Sequence, residues 1–296
     1  MLRCAVDFLE HRLAVAANPE SPATGLLGDT PDRDYARKLR SFNRFAEPEL
    51  REAIGTLQLR PGMRVLDAGC GTGETLSWLD EAVRPGGSVT GIDLSAAHVA
   101  AARRCAVPGV EVLQGDLNDL PFPAASVDLV WCVNTINHFR EPLATLASLV
   151  AVLAPGGRIA LGQSSLLPEM FFAWDSRLER RVTEAVRRYY RERYRLDEGE
   201  LAGVRAIAGL LRQAGLHDVH VRTFSIDRLS PLDPASRDYV LQTLFRETWG
   251  ERLRPHLGDA EFAELQQLCD PGSAHFALTR PDFHFIQTFT LAVGTR

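Results

Sequence analysis

The chain has 296 residues, 45% apolar and 24% charged, enough material for one large α/β domain with an elaboration or for two small domains. Its formal net charge of -5 removes the electrostatic reason to expect a nucleic acid or a membrane surface as partner. Cys4, Cys70, Cys105, Cys132 and Cys269 are far apart, odd in number and without CxxC spacing, which predicts free thiols in a reducing cytoplasm and no metal site.

Met1 to Asn18 mixes apolar residues with Arg3, Asp7, Glu10, His11 and Arg12, so it lacks the continuous apolar run of a secretory leader. No stretch approaches the ~20 apolar residues that a membrane span needs. Turn formers crowd Asn18 to Pro31, which predicts a loop after a candidate first helix. Tyr35, Leu39, Phe42, Phe45, Leu50, Ile54 and Leu57 then recur at helical spacing interrupted near Pro48, the pattern of two short helices.

From Met63 short apolar runs alternate with helical segments. Strands are predicted at Arg64 to Asp67, Ser88 to Asp93, Val110 to Gln114, Val127 to Val133 and Arg158 to Gly162, with helices to Val83, from Ser95 to Cys105 and from Pro142 to Leu153. This alternation predicts right-handed βαβ units and a doubly wound, Rossmann-like α/β sheet covered on both faces. Gly86-Gly87, Pro108-Gly109 and Pro155-Gly156-Gly157 supply stop signals before strands. Pro168 to Arg195, rich in aromatics and arginines, reads as an insertion built on one amphipathic helix without a strand. A helix over Val204 to Ala214, a strand over Asp218 to Ile226, helical period over 234–268 and a last strand over Phe283 to Val293 complete the chain. The expected division is an N-terminal helical segment over 1–58 and one domain over 59–296, with helical insertions at about 165–202 and 233–272.

The chain is organised around Val65-Leu66-Asp67-Ala68-Gly69-Cys70-Gly71-Thr72-Gly73, an apolar strand ending in an acid and three alternating glycines. Glycine suits a strand-to-helix turn whose backbone approaches a ligand, since a Cβ would fill that space. Glu74 stands where the dinucleotide fingerprint requires its third glycine, so GxGxxG is absent. A carboxylate at Asp67 suits an ammonium-bearing ligand better than a pyrophosphate, which it would repel. Asp93 and Asp116 end the next two strands, placing Asp93 to accept from a ribose diol and Asp116, beside Leu117, to accept from an exocyclic amine. One such Asp alone would read as a helix cap; three on successive strands define a site.

These residues, with Gly91-Ile92-Asp93-Leu94-Ser95, Gly115-Asp116-Leu117 and Leu153-Ala154-Pro155-Gly156-Gly157-Arg158, resemble the class I S-adenosylmethionine-dependent methyltransferases, in particular the ubiquinone/menaquinone-biosynthesis-like small-molecule branch. The resemblance covers roughly residues 60–163 with specific motifs. It implies a seven-stranded sheet whose last strand, Phe283 to Val293, is antiparallel, and it implies S-adenosylmethionine as cofactor and S-adenosylhomocysteine as product. It further implies that Asp67 with the backbone of Gly69, Cys70 and Gly71 holds the methionine part, with Gly73 and Leu94 also among the cofactor-binding residues. Asp93 would then serve the ribose, Asp116 with Leu117 the adenine, and Asn134 would lie beside the methionine. His98 stands where this branch often carries a Met that packs on adenine; a ring can stack there equally well.

Methyl transfer needs a base only where the acceptor must lose a proton, and His138, after the fourth strand, has the imidazole for that task; a structural His at a helix start is the competing reading. Tyr35, Phe42 and Phe45, with Met170, Phe171, Phe172, Trp174, Tyr189, Tyr190 and Tyr194 of the insertion, are candidates for a lid over an apolar or ring-bearing small-molecule acceptor, methylated at O or C. The arginines of that insertion interleave with Glu179, Glu184 and Glu192 at helical pair spacing, a solvated salt-bridged face rather than an RNA surface. A monomer or homodimer is expected. The rival readings are a methyltransferase acting on tRNA or protein, a non-catalytic S-adenosylmethionine-binding protein, and a nicotinamide-dependent oxidoreductase.

Overall fold

The computed structural model describes Leu27, Asp32, and residues 34–165, 170–171, 175–197 and 205–296. The helix and loop expected within residues 1–33 therefore fall almost wholly outside the described residues, as do Phe172, Trp174 and the side chains of Met170 and Phe171.

Two helices, α1 (Ala36–Phe45) and α2 (Glu47–Thr56), precede the sheet and are separated at Ala46, two residues before Pro48. Pro48 lies in the first turn of α2, where its missing N–H costs nothing. The alternating section follows as β1 (Arg64–Ala68), α3 (Glu74–Val83), β2 (Ser88–Asp93), α4 (Ala96–Cys105), β3 (Glu111–Gln114), β4 (Val127–Val133), α5 (Pro142–Val152) and β5 (Leu153–Ser164). After it come β6 (Met170–Phe171), α6 (Ser176–Tyr194), α7 (Ile207–Gln213), β7 (His217–Leu229), α8 (Pro234–Asp238), a π-helix (Tyr239–Thr248), a 3-10 helix (Glu251–His256), α9 (Asp259–Cys269) and β8 (His284–Thr295).

The strand order is β3-β2-β1-β4-β5-β8, with β7 on the far side of β8. β1 to β5 run parallel, and β8 is antiparallel to both β5 and β7. Seven strands with the last one antiparallel are thus present, and the two-residue β6 adds to the edge of β8. Strand order reverses between β1 and β4, where a sheet of this kind opens a crevice beyond its carboxyl ends.

Alternation along the strands sorts their side chains into two cores. Val65, Leu129 and Trp131 join Leu76, Leu79 and Val99 of α3 and α4, together with Phe45 and Leu50 of the N-terminal helices. Leu66, Val130 and Cys132 join Leu146 and Leu149 of α5 and Leu211 of α7. Because adjacent residues point to opposite faces, strands covered twice read as continuous apolar runs.

Three features depart from expectation. β5 begins at Leu153 and carries Pro155-Gly156-Gly157 as an excursion, since its pairing jumps from Val127↔Leu153 to Leu129↔Arg158. The insertion does hold a strand, β6, too short to leave a period in the sequence. The helical stretch 234–268 is broken into four pieces, and its π-helix is closed by Trp249 N–H donating to Leu244 O. Among the described residues no helix is long and apolar enough to cross a membrane.

Candidate active site

Beyond the carboxyl ends of β1 to β5 lies a cavity of about 710 Å³. Its floor is the glycine turn, tied to β2 by Gly69 and Cys70 N–H groups that donate to Ile92 O at 2.8 and 3.0 Å. Gly69, Gly71 and Gly73 have φ of +82°, +54° and +86°, backbone that disfavours any side chain. A Cβ on Gly69 would lie 2.4 Å from Thr135 Oγ1, and one on Gly73 would lie 2.8 Å from Ala102 Cβ. The protein's own packing therefore demands these two glycines, which differs from the ligand-clearance reason expected. Gly69, Cys70 and Gly71 line the cavity, whereas Gly73 caps α3 away from its wall.

The three acids step along adjacent strand ends around this cavity, and all three line it. Asp67 is buried and accepts from Thr75 Oγ1 at 2.5 Å. Burial pushes its carboxyl up to about 7, and the charges of Asp93 and Glu74 act in the same direction against the Thr75 bond. No basic side chain of the described residues pairs with it. Cys70 is likewise buried, and its thiol is held well above the usual range by desolvation and by Asp67 and Asp93.

Asp93 accepts three N–H bonds: Gly71 N to Oδ2 at 2.9 Å, Ser95 N to Oδ1 at 2.9 Å and His98 Nδ1 to Oδ1 at 3.2 Å. A carboxylate has about four acceptor sites, so one remains, on Oδ2. Asp116 Oδ1 accepts from the backbone and side-chain amides of Asn118, whose own Oδ1 accepts from Thr145 of α5. Leu94 and Leu117 line the cavity beside these acids. Asn134 sits at φ +56°, and its Oδ1 accepts from Ser164 N at 2.7 Å, fastening β4 to β5 at the cavity wall. His98 is not on that wall. It is buried behind Asp93 and covered by Tyr35, with ring centroids 4.5 Å apart, so no adenine contact arises from it here.

His138 ends a 3-10 turn, Ile136–His138, lines the cavity and lies parallel to the Tyr35 ring at 6.2 Å. Of the expected lid aromatics, Tyr35, Phe42, Tyr190 and Tyr194 line the cavity. Phe45 instead stacks on Tyr239 in the core at 4.2 Å, and Tyr189 packs edge-on to Tyr190 beside it and to His256 of the second insertion. Three arginines of α6 are paired: Arg177 with Glu261 and Glu264, Arg181 with Glu184 and Glu261, and Arg188 with Glu184.

Sequence reasoning missed the opposite wall. Tyr239, Thr243, Leu244, Glu247 and Thr248 all reach the cavity from the π-helix, whose wider turn aligns residues four and five apart, and Gln287 of β8 joins them. A heptad-like α-helical reading spreads these residues over more than one face. Tyr239 donates to Gln287 Oε1, and Gln287 donates to Ser165 O, so this wall is braced from behind. Asn137 Oδ1, Gln163 Oε1 and Ser164 Oγ, all of cavity-lining residues, are buried polar atoms without a hydrogen-bond partner among the described residues.

Residues 66–161 match the model of a methyltransferase domain family. The chain is 37% identical over 119 residues to 27-O-demethylrifamycin SV methyltransferase of Amycolatopsis mediterranei, covering 38% of this chain and 43% of that protein. It is 39% identical over 121 residues to nocamycin O-methyltransferase of Saccharothrix syringae, covering 40% and 43% respectively. It thus spans less than half the length of these two curated relatives. The YcgJ protein from Bacillus subtilis, a solved structure, aligns over 84% of this chain and 98% of its own at a TM-score of 0.51 and 19% identity, a likeness of fold. The stretch matched to a methyltransferase domain, Leu66 to Leu161, is about a third of the chain and holds the glycine turn and all three acids.

Proposed function

We propose that the protein transfers a methyl group from S-adenosylmethionine to oxygen or carbon of a small, ring-bearing organic acceptor. The observation that carries this is the set of three acids, Asp67, Asp93 and Asp116, at three adjacent strand ends around one cavity. This donor set fits the cofactor: a buried, cation-starved Asp67 suits a group with an ammonium and a sulfonium, and the lone pair left on Asp93 Oδ2 suits a ribose hydroxyl. Asp67 and the backbone of Gly69 to Gly71 would hold the methionine part, Asn134 would lie beside it, Asp93 with Leu94 would hold the ribose, and Asp116 with Leu117 the adenine. Bound there, the cofactor supplies a methyl group already activated on sulfur.

The chain then has to align the acceptor, keep water out and, for a hydroxyl acceptor, take a proton. Tyr190, Tyr194 and Phe42 offer ring faces, while the π-helix wall and Gln287 bring hydroxyls and amides. In this reading the N-terminal helical segment over 1–58 and the insertions at about 165–202 and 233–272 belong to one domain that continues to 296, and their described residues Phe42, Tyr190, Thr243 and Thr248 supply the acceptor side. The names of the rifamycin and nocamycin methyltransferases support a small-molecule acceptor, as do the ion pairs that occupy Arg177, Arg181 and Arg188 of α6. Cytoplasmic residence, as a monomer or homodimer, goes with this reading and with the free thiols at Cys70, Cys105, Cys132 and Cys269.

The test is transfer of a labelled methyl group from S-adenosylmethionine to hydroxylated ring compounds, with tRNA and protein offered in parallel. Label is expected in the small-molecule fraction; label in tRNA or protein instead would overturn the reading. His138 is the proposed base. His138→Ala is expected to slow transfer to a hydroxyl by about 100-fold with the affinity for S-adenosylhomocysteine unchanged. A full rate retained across neutral pH would remove the base role.

A further inference from the structure

Asp93 is held by a side chain whose other end leaves the cofactor half of the site altogether. His98 Nδ1 lies 3.2 Å from Asp93 Oδ1, and His98 Nε2 lies 3.3 Å from the backbone nitrogen of Tyr35. The carboxylate accepts hydrogen bonds and the backbone N–H donates one, so the imidazole is neutral, with its proton on Nδ1 and its lone pair on Nε2. Both nitrogens are thereby used, and the ring is 1% exposed. Ser95 Oγ, which accepts from His98 N at 3.3 Å, seats the first turn of α4 that carries it.

Tyr35 is the residue before α1, and it covers the His98 ring edge-on. Helix α1 is a wall of the cavity through Lys38, Leu39 and Phe42. Leu39 presses on the glycine turn, since a Cβ on Gly71 would lie 3.0 Å from its Cδ1. The same Gly71 donates its N–H to Asp93 Oδ2. One imidazole thus joins the start of a cavity wall to the acid at the end of β2, and that acid in turn grips the turn on which the wall rests.

We propose that His98 is a positioning residue that couples the seating of α1 to the orientation of Asp93, so that the N-terminal wall and the cofactor side of the cavity close as one unit. This rests on the reading of Asp93 as the acid that holds the ribose. Methionine in this place fills the space but offers no N–H to Asp93 and only a weak acceptor to Tyr35. Coupling of this kind is reciprocal: a ligand that engages Asp93 steadies α1, and a loosened α1 weakens that ligand.

The test pairs hydrogen exchange over residues 35–45 with calorimetric titration of S-adenosylhomocysteine, on wild type, His98→Met and His98→Gln. In wild type, S-adenosylhomocysteine should slow exchange over 35–45. His98→Met should bind it about tenfold more weakly, the loss of one bond to a charged group. It should also exchange faster over 35–45 before any ligand is added and lose most of the ligand-induced protection there. His98→Gln carries an amide donor and an amide acceptor, and should return affinity to within about threefold of wild type together with the protection of α1. Equal protection of 35–45 in wild type and His98→Met, or a Gln variant no better than Met, would overturn the proposal. Should the Met chain fail to fold, the Gln chain decides alone: retained ligand-induced protection supports the coupling, and its loss overturns it. If wild type binds no S-adenosylhomocysteine, the cofactor reading falls, while the unliganded exchange rates of the three chains still read the link between His98 and α1.

Discussion

Replacing Asp67 with Asn is expected to weaken S-adenosylhomocysteine binding by about 100-fold while making the unliganded protein more stable at pH 8. The two effects have one cause. Asp67 is 2% exposed, and burial raises its carboxyl from the ordinary 3.8 to about 7. With the folded value above the unfolded one, the native state keeps a proton that the unfolded chain releases. The stability this contributes is complete below about 3.8 and is lost as pH rises through about 7. Two values that far apart correspond to about 4 kcal/mol, the upper bound on what ionised Asp67 costs the unliganded fold at pH 8. Asn cannot ionise, so thermal melts of Asp67→Asn should lack this fall between pH 5 and 8.

The charge that destabilises the empty site is the one that attracts a cation. Wild-type affinity for S-adenosylhomocysteine, which carries an ammonium, should therefore fall as pH drops below about 7, where Asp67 takes up its proton. The Asn variant should show a weak affinity without that pH dependence. Titrations at pH 6 and pH 8 on both chains decide the matter, and equal wild-type affinity at the two values would remove Asp67 from the ligand.

The second large effect is structural and lies at the far end of α1. Arg228, at the end of β7, makes a bidentate pair with Glu49 of α2 at 2.8 and 2.9 Å. It also donates to Phe45 O at 2.5 Å and to Ser236 Oγ at 3.1 Å, and it lies over the Phe45 ring at 4.9 Å. Both charged side chains are 13% exposed. Removing one member of such a pair strands the other, so Arg228→Met should lower stability by about 3–5 kcal/mol. Glu49→Gln in the same chain should recover part of that loss, because the amide carries no charge to strand. Urea unfolding midpoints measure both chains, and a loss below about 1 kcal/mol would show the pair to be ordinary surface chemistry. Since α1 and α2 wall the cavity, the same variant should also bind S-adenosylhomocysteine more weakly.

The parallel sheet and its three acids were legible because the buried strands leave apolar runs and the first three each carry an Asp at or just past the carboxyl end. Asp67, Asp93 and Asp116 therefore announced a crevice before any contact was known. The π-helix was not legible: Tyr239 to Thr248 has a period close to that of an α-helix, and only the wider turn brings Tyr239, Thr243 and Thr248 onto one cavity face. β6 pairs two residues, too few for any alternation to show. The reason for Gly69 was also hidden, because Thr135, which occupies the space of its missing side chain, is 66 positions away in the chain. His98 could be flagged as a departure from the resembling branch. Its partner Tyr35, by contrast, is a backbone amide that no pattern of side chains points to.

Calorimetric titration with S-adenosylhomocysteine, and separately with NAD, tests the central claim most directly. The three-acid site predicts binding of S-adenosylhomocysteine at one per chain, weakened in Asp93→Ala by a few kcal/mol at most, and no heat from NAD. Binding of NAD without S-adenosylhomocysteine, or an affinity untouched in Asp93→Ala, would contradict it.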